Sequence, residues 1–403
     1  MTNLKFTSVC RWAFPHVQGG IPMYNYHLLN TLYKKFDFKI VSHQNSTNMN
    51  FYANMGIQFV GYNNFHNDLY NQLTRLKILN NILRSWSDWN NSFEIMRTID
   101  NNISGLIEFM DIHSEGYLYL KKFPKENRKA RVIIRSHTPW ALLRKYYPKD
   151  IIKYVDSWWA VEREKYCFHN CDAITVPSND LKKQLVNTFD ITGDKIKVLP
   201  NLVDTDHFKP IDRDSNDLFT ILHVGRFEEA KGAKTLLEAF ALLAKKYKNV
   251  HLINCGPLDK SFLKKCKNLL MRKKLLDRVT FEGFISYKAL PIKYADADLI
   301  IVPAEIYESF SYTVAQGMAC GKAVIASKIG GIPETLNNGN AGLLFTPGNE
   351  IDLFEKMDTL YIDEKKRIDI GKKARDYIKD NFSINVLRPK YLDYYQSLIQ
   401  KRI

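Results

Sequence analysis

The stretch from Ile300 to Glu334 leaves this chain the fewest choices of fold. It runs Ile300-Ile-Val-Pro-Ala-Glu305-Ile-Tyr-Glu308-Ser-Phe310-Ser311, passes through Gln316 to Met318-Ala-Cys-Gly321, and closes on Gly330-Gly-Ile-Pro-Glu334. The apolar run ending at Pro303 suits a buried parallel strand. The spacing of Val314, Ala315, Met318 and Ala319 is helical with Gly321 as the stop, and Ala323 to Ala326 is a second strand. A strand–helix–strand unit of this kind requires a parallel sheet covered by helices, so the chain is α/β. In such a unit the loop after the first strand and the helix N-terminus lie at the carboxyl edge of the sheet. Backbone N–H groups and the helix dipole favour an anion there. Glu308 stands at the same edge, and a carboxylate beside an anion site is useful where it accepts hydrogen bonds from a polyol.

The same wording, Glu308-Ser-Phe310, then Met318-Ala-Cys-Gly321, Val324 to Ser327 and Gly330-Gly-Ile-Pro-Glu334, resembles the retaining glycosyltransferases of family four. The resemblance implies the GT-B fold: two Rossmann-like doubly wound domains facing across a cleft. Family members usually place a second glutamate where this chain has Gln316. In the family that acid accepts hydrogen bonds from ribose, and a glutamine carbonyl can also accept.

At 403 residues the chain suits two domains. They are expected at 1–195, with a C-terminal helix over 384–403 returning to pack on it, and at 196–383; the resemblance makes the first acceptor-binding and the second donor-binding. Lys and Arg outnumber Asp and Glu by 58 to 43, a net charge of +15, so an anionic partner is expected. The six cysteines form no regular framework and suit reduced, packed thiols, which together with the lack of a signal-like start points to a cytoplasmic protein. Cys167 and Cys171 are one helical turn apart without a second ligand pair, and no metal site is assigned.

Taken in order, Leu4 to Val9 is the first strand, and Gly19-Gly20 opens the helix that follows. Paired glycines let backbone approach a ligand, and the pair matches the family's N-terminal glycine loop. Phe38 to Val41 is a strand and Gln44 to Asn50 an Asn-rich loop. The segment Asn71 to Trp89 is a basic amphipathic helix. Two readings fit it: packing on its own sheet, or contact with an anionic membrane surface. Packing is the first reading of the helix; separately, all six tryptophans precede residue 160, beside a run of Lys and Arg, and with no nucleic-acid motif present a membrane suits that half better than nucleic acid. Gly105 to Met110 and Val132 to Arg135 are strands. The second leads to His137, which resembles the histidine that family members place under the donor sugar. The stretch Glu108 to Gly116 resembles an acceptor-side loop, with Glu108 and Glu115 as candidates, and Glu334 is a third.

In the second half the strand Phe219 to Val224 meets Gly225-Arg226 and Lys231-Gly232 before the helix Ala233 to Tyr247. A strand, a glycine turn, cations and a helix start is how a doubly wound half cradles a diphosphate. The next strands end at Gly256 and at Gly283-Phe-Ile285, where the family holds its nucleotide base. The resemblance then implies a donor such as a UDP- or GDP-sugar and a glycan or lipid-linked acceptor. Arg226 and Lys231, with N–H groups near Phe310 and Ser311, would meet the leaving diphosphate, Glu308 the sugar and Gln316 the ribose. No metal and no cofactor is called for.

Overall fold

The computed structural model describes residues 4–62, 80–99, 103–146, 156–212 and 217–400, with backbone alone at 80–86 and 156. The chain divides into two compact units, Met1–Leu202 with Leu387–Ile403, and Val203–Val386.

The first unit is built on seven parallel strands: β1 (Leu4–Val9), β2 (Phe36–His43), β3 (Gln58–Tyr62), β4 (Gly105–Met110), β5 (Ala130–Arg135), β6 (Ala173–Val176) and β7 (Ile196–Val198). Their order is β3-β2-β1-β4-β5-β6-β7. Strands such as β4 and β6 are buried almost throughout, as a sheet with helices on both faces requires. The order reverses at β1 and β4, so the loops after these two strands flank the crevice where ligands of open α/β sheets bind. The C-terminal helix Ile384–Gln400 belongs to this unit from Leu387 onward: the Tyr395 ring meets Phe6 edge-on at 5.1 Å, and Tyr391 donates to the Pro200 carbonyl at 2.8 Å.

Two local expectations change. The Asn-rich run is a helix, Ser46–Asn54, because the Asn45 side chain caps it by accepting from the Asn48 N–H at 3.2 Å and Tyr52 is fully buried. The helix read over Asn71 to Trp89 falls partly on 71–79, outside the described residues. The described helix is Asn80–Thr98, and on it Ser87, Asp88, Asn90, Asn91 and Ser92 are buried while Trp89 is exposed.

The second unit carries β8 (Phe219–Val224), β9 (Val250–Cys255), β10 (Val279–Gly283), β11 (Leu299–Val302), β12 (Ala323–Ser327) and β13 (Leu343–Phe345). All are parallel, in the order β10-β9-β8-β11-β12-β13, and here the reversal falls between β8 and β11. Leu237 and Phe240 of helix Ala233–Lys246 and Leu353 and Met357 of helix Glu350–Ile362 fill the core on one face.

Candidate functional site

The carboxyl edge of the second sheet gathers most of the residues singled out by sequence. Gly225, Arg226 and Lys231 follow β8; Gly256 follows β9; Ile285 follows β10; Glu308, Phe310 and Ser311 follow β11; Glu334 lies on the short helix Ile332–Thr335 after β12. At the reversal itself, Lys231 Nζ donates to Glu308 Oε1. Both side chains are about one-fifth exposed, so the pair faces solvent from a partly desolvated position.

Backbone contacts fix this pair in place. Gly232 has φ 75°, and a Cβ there would lie 1.7 Å from the Pro303 carbonyl oxygen, so the Lys231 loop can press against the end of β11 only with glycine at this point. Gly330 has φ 56°, a Cβ there would lie 2.2 Å from the Glu308 carbonyl oxygen, and the Gly331 N–H donates to that carbonyl at 2.8 Å. Glu305, not singled out by sequence, adds a third tie by accepting from the Thr235 hydroxyl at 2.5 Å. Ser311 caps the helix Tyr312–Ala319 by accepting from the Val314 N–H, and Thr313 donates to the Val224 carbonyl at 3.1 Å, which anchors that helix start at the end of β8. The loops ending β8, β9 and β10 are joined by Gly225 N–H to Cys255 O, 2.9 Å, and Gly256 N–H to Gly283 O, 2.6 Å.

Arg226 is not part of the Lys231–Glu308 pair. Its exposed guanidinium lies 3.1 Å from Glu228 Oε1. Phe310 is buried, its ring 5.9 Å from Phe382, so its side chain is a packing element and its backbone is what the site can use. Gln316 is also buried, and its carbonyl accepts from the Tyr294 hydroxyl at 3.1 Å. One lone pair of the group expected to face a ribose is therefore engaged inside the unit. His223, which sequence reading passed over, is buried with Nδ1 2.7 Å from Asn254 Oδ1; burial, and the Lys231 charge less strongly, lowers its pKa to about 4, so the ring is neutral at pH 7.

The first unit presents a different chemistry at its reversal. Gly19, the N-cap of helix Gly20–Leu32, has φ −152°, and a Cβ on it would meet only Pro22 at 3.9 Å; a Cβ on Gly20 would meet nothing within 4 Å. Neither strain nor packing among the described residues calls for these glycines. His137 is buried behind Tyr24, ring centroids 4.9 Å apart, and its N–H donates to Asp111 Oδ1 at 3.1 Å. Burial, and then the charge of Arg135, keeps its imidazole neutral. Asp111 also accepts from the Ser136 hydroxyl at 2.7 Å, so it positions the His137 loop, and burial pushes its pKa up to about 6.

Two acceptor-side expectations are corrected. Glu108 lies inside β4, fully buried, and its oxygens accept from Tyr395 at 2.5 Å and Tyr24 at 3.2 Å. It is a structural acid. Glu115 is buried too; Oε1 accepts from the Arg11 N–H at 2.8 Å, and burial raises its pKa to about 8, so at pH 7 it is a neutral acid inside the unit. Neighbouring Asp88, overlooked in the sequence, gathers Arg11 at 2.9 Å and His113 at 3.0 Å. The alternation of apolar and polar residues around these positions gave no warning that the polar members would be enclosed.

Two doubly wound parallel sheets with this strand order are the GT-B fold, and the comparisons agree. Residues 18–207 match the family model described as Glycosyltransferase Family 4, and residues 204–377 match Glycosyl transferases group 1. The chain belongs to this glycosyltransferase family. Among curated relatives, lipopolysaccharide 1,2-N-acetylglucosaminetransferase of Salmonella typhimurium is 28% identical over 238 residues, 53% of this chain and 62% of that protein. The chain spans about half to two thirds of the length of the curated relatives it matches. Among solved structures, sucrose-phosphate synthase from Thermosynechococcus elongatus has a TM-score of 0.81 at 18% identity, covering 99% of this chain and 100% of that one. The Anabaena protein HepE in complex with UDP has a TM-score of 0.74 at 17% identity, covering 98% and 100%.

Proposed function

We propose that the protein moves a sugar from a nucleotide-sugar donor, a UDP- or GDP-sugar, to a glycan or lipid-linked acceptor, with retention at the anomeric carbon. The observation that carries this reading is the Lys231–Glu308 pair at the strand reversal of the second unit, pinned by Gly232 and Gly330. As the bond to the diphosphate breaks, its oxygens gain charge, and a cation already fixed at that edge lowers the barrier without reorganising. Lys231 fills that role, with Arg226 and the N–H groups around Phe310 and Ser311 as further donors. Glu308 accepts hydrogen bonds from the sugar hydroxyls, Gly225, Gly256 and Ile285 border the nucleotide, Gly19, Gly20 and His137 serve the first unit's side of the reaction, and Glu334 is the remaining acidic candidate. The Salmonella relative makes a glycoconjugate and HepE was solved with UDP, which supports the substrate class.

The test is a panel of nucleotide sugars scored for nucleotide release with and without cell-envelope extract, in the presence of EDTA. Release that needs both donor and extract and survives chelation is expected. Release without an acceptor would make the protein a hydrolase, and recovery only with magnesium or manganese would move the phosphates from Lys231 and Arg226 to a metal.

Attachment of the first unit to anionic membrane is part of the same proposal, supported by the net charge of +15 and by the exposed Trp12 and Trp89. No helix among the described residues is long and apolar enough to cross a membrane. Co-sedimentation with anionic but not neutral liposomes, weakened by salt, is expected; equal recovery with both would remove this part.

A further inference from the structure

The helices Tyr117–Lys122 and Asp156–Asn170 of the first unit pack together, and beside them lies a groove of about 380 Å³ that includes no residue assigned to the donor. Its volume is in the range of small-molecule sites, about 300–1,000 Å³. One wall is aromatic. Tyr117 and Tyr166 meet edge to face at 5.4 Å, and Trp159 stands on the same groove with 54% of its surface in water. Lys121 Nζ lies 5.1 Å from the Tyr117 ring centre and 5.7 Å from that of Tyr166, which holds the ammonium against both rings.

The lining also includes polar groups, His169 and Asn170. His169 Nε2 meets the Phe189 carbonyl at 2.9 Å; a carbonyl only accepts, so Nε2 is the donor. Asn170 donates its amide to the Tyr166 carbonyl at 2.8 Å, and its own carbonyl oxygen is an acceptor. Lys121 and Lys165 outnumber Glu162 among the charged lining residues, while Arg163 is buried with its guanidinium 4.0 Å from Asp88.

Flat aromatic faces, hydroxyl-accepting groups and an excess of cations together match one ligand chemistry: a sugar ring, apolar on its C–H face and polar at its edge, that carries acid groups. A bilayer is met by a protruding apolar surface with cations around it, whereas these residues line a groove. We propose that the groove is a second saccharide-binding site that takes an acidic glycan segment. Its use, on the transferase reading, is to tether a long acceptor and raise the local concentration of its growing end; the binding itself does not depend on that reading.

The experiment measures binding of fluorescein-labelled oligogalacturonate to the full chain, beside a malto-oligosaccharide of equal length and phosphatidylglycerol vesicles. Saturable binding of the acidic oligosaccharide is expected, weakened by salt, stronger than that of the neutral one, and reduced about tenfold or more by Trp159→Ala and by Lys121→Ala. Both side chains lie at the surface, so circular dichroism of the variants should match the parent. Failure of oligogalacturonate to bind, equal affinity in parent and variants, or loss of vesicle binding instead of saccharide binding in Trp159→Ala would each overturn the proposal. Absence of nucleotide release by the parent would count against the transferase reading and leave the groove result standing.

Discussion

The two units share a topology and differ in what they do with charge at the strand reversal. In the second, Lys231 and Glu308 pair on loops, each about one-fifth exposed. In the first, the acids of the corresponding region are enclosed: Glu108 between Tyr24 and Tyr395, Asp111 behind His137, Glu115 against the Arg11 backbone. Partly exposed charge is available to a ligand, whereas enclosed charge is committed to the fold. The same sheet order therefore makes one edge chemically open and the other a scaffold whose open features are the unstrained Gly19 and Gly20.

Two arginines offer the sharpest break between these roles. Arg135 is fully buried, donating to Leu199 O at 2.9 Å and Asn201 Oδ1 at 2.6 Å and lying 4.4 Å from the Tyr24 ring centre. Arg135→Ala strips these partners of their cation and should cost about 3–5 kcal/mol in the first unit. Because all six tryptophans precede residue 160, indole fluorescence during urea unfolding reads that unit alone. Arg226→Ala should leave the thermal unfolding of the chain followed by circular dichroism unchanged and lower turnover about 10²-fold. An unfolding midpoint unchanged by Arg135→Ala would dissolve the contrast.

A smaller effect separates the two buried tyrosine contacts. Tyr395→Phe removes the donor to Glu108 and should destabilise the first unit by about 1–3 kcal/mol. Gln316→Ala strands the Tyr294 hydroxyl in the second unit at a similar cost, with the fluorescence transition of the first unit unmoved. Nucleotide affinity measured on the same variant sharpens the point: weakening by about 1–2 kcal/mol means that the second lone pair of Gln316 also serves the ribose, and unchanged affinity means that it does not.

Smaller still is a pH dependence. Burial raises the pKa of Glu115, and likewise of Glu164, to about 8 in the folded state, above an ordinary value near 4.5. The folded state then binds more protons than the unfolded state between these values. The stability these acids contribute is complete below pH 4.5 and is lost as pH rises toward 8. From pH 7 to 8 each should remove about 1 kcal/mol from the first unit. Glu115→Gln should reduce that slope by about half; a stability that climbs over this interval would mean the acids are ionised in the fold.

Much of the second unit was legible in the sequence because its signals are local. The strand ends, glycine turns and cap of Ile300 to Glu334 lie within one strand–helix–strand unit. The strands β3, β7 and β13 escaped because three to five residues carry too little pattern. The first unit's acids were misread for another reason. Whether Glu108 faces a ligand or a core depends on Tyr395, 287 residues away, and no spacing near Glu108 reports that partner.

On the proposed mechanism, charge fixed at the open edge of the second unit drives departure of the diphosphate. The most direct measurement is acceptor-dependent nucleotide release by Lys231→Ala beside Glu108→Gln, each checked for an intact fold by circular dichroism. The account predicts a fall of about 10²–10³-fold for Lys231→Ala and a rate within a few-fold of the parent for Glu108→Gln. Near-parental turnover in Lys231→Ala, or an equal fall in both variants, would contradict it.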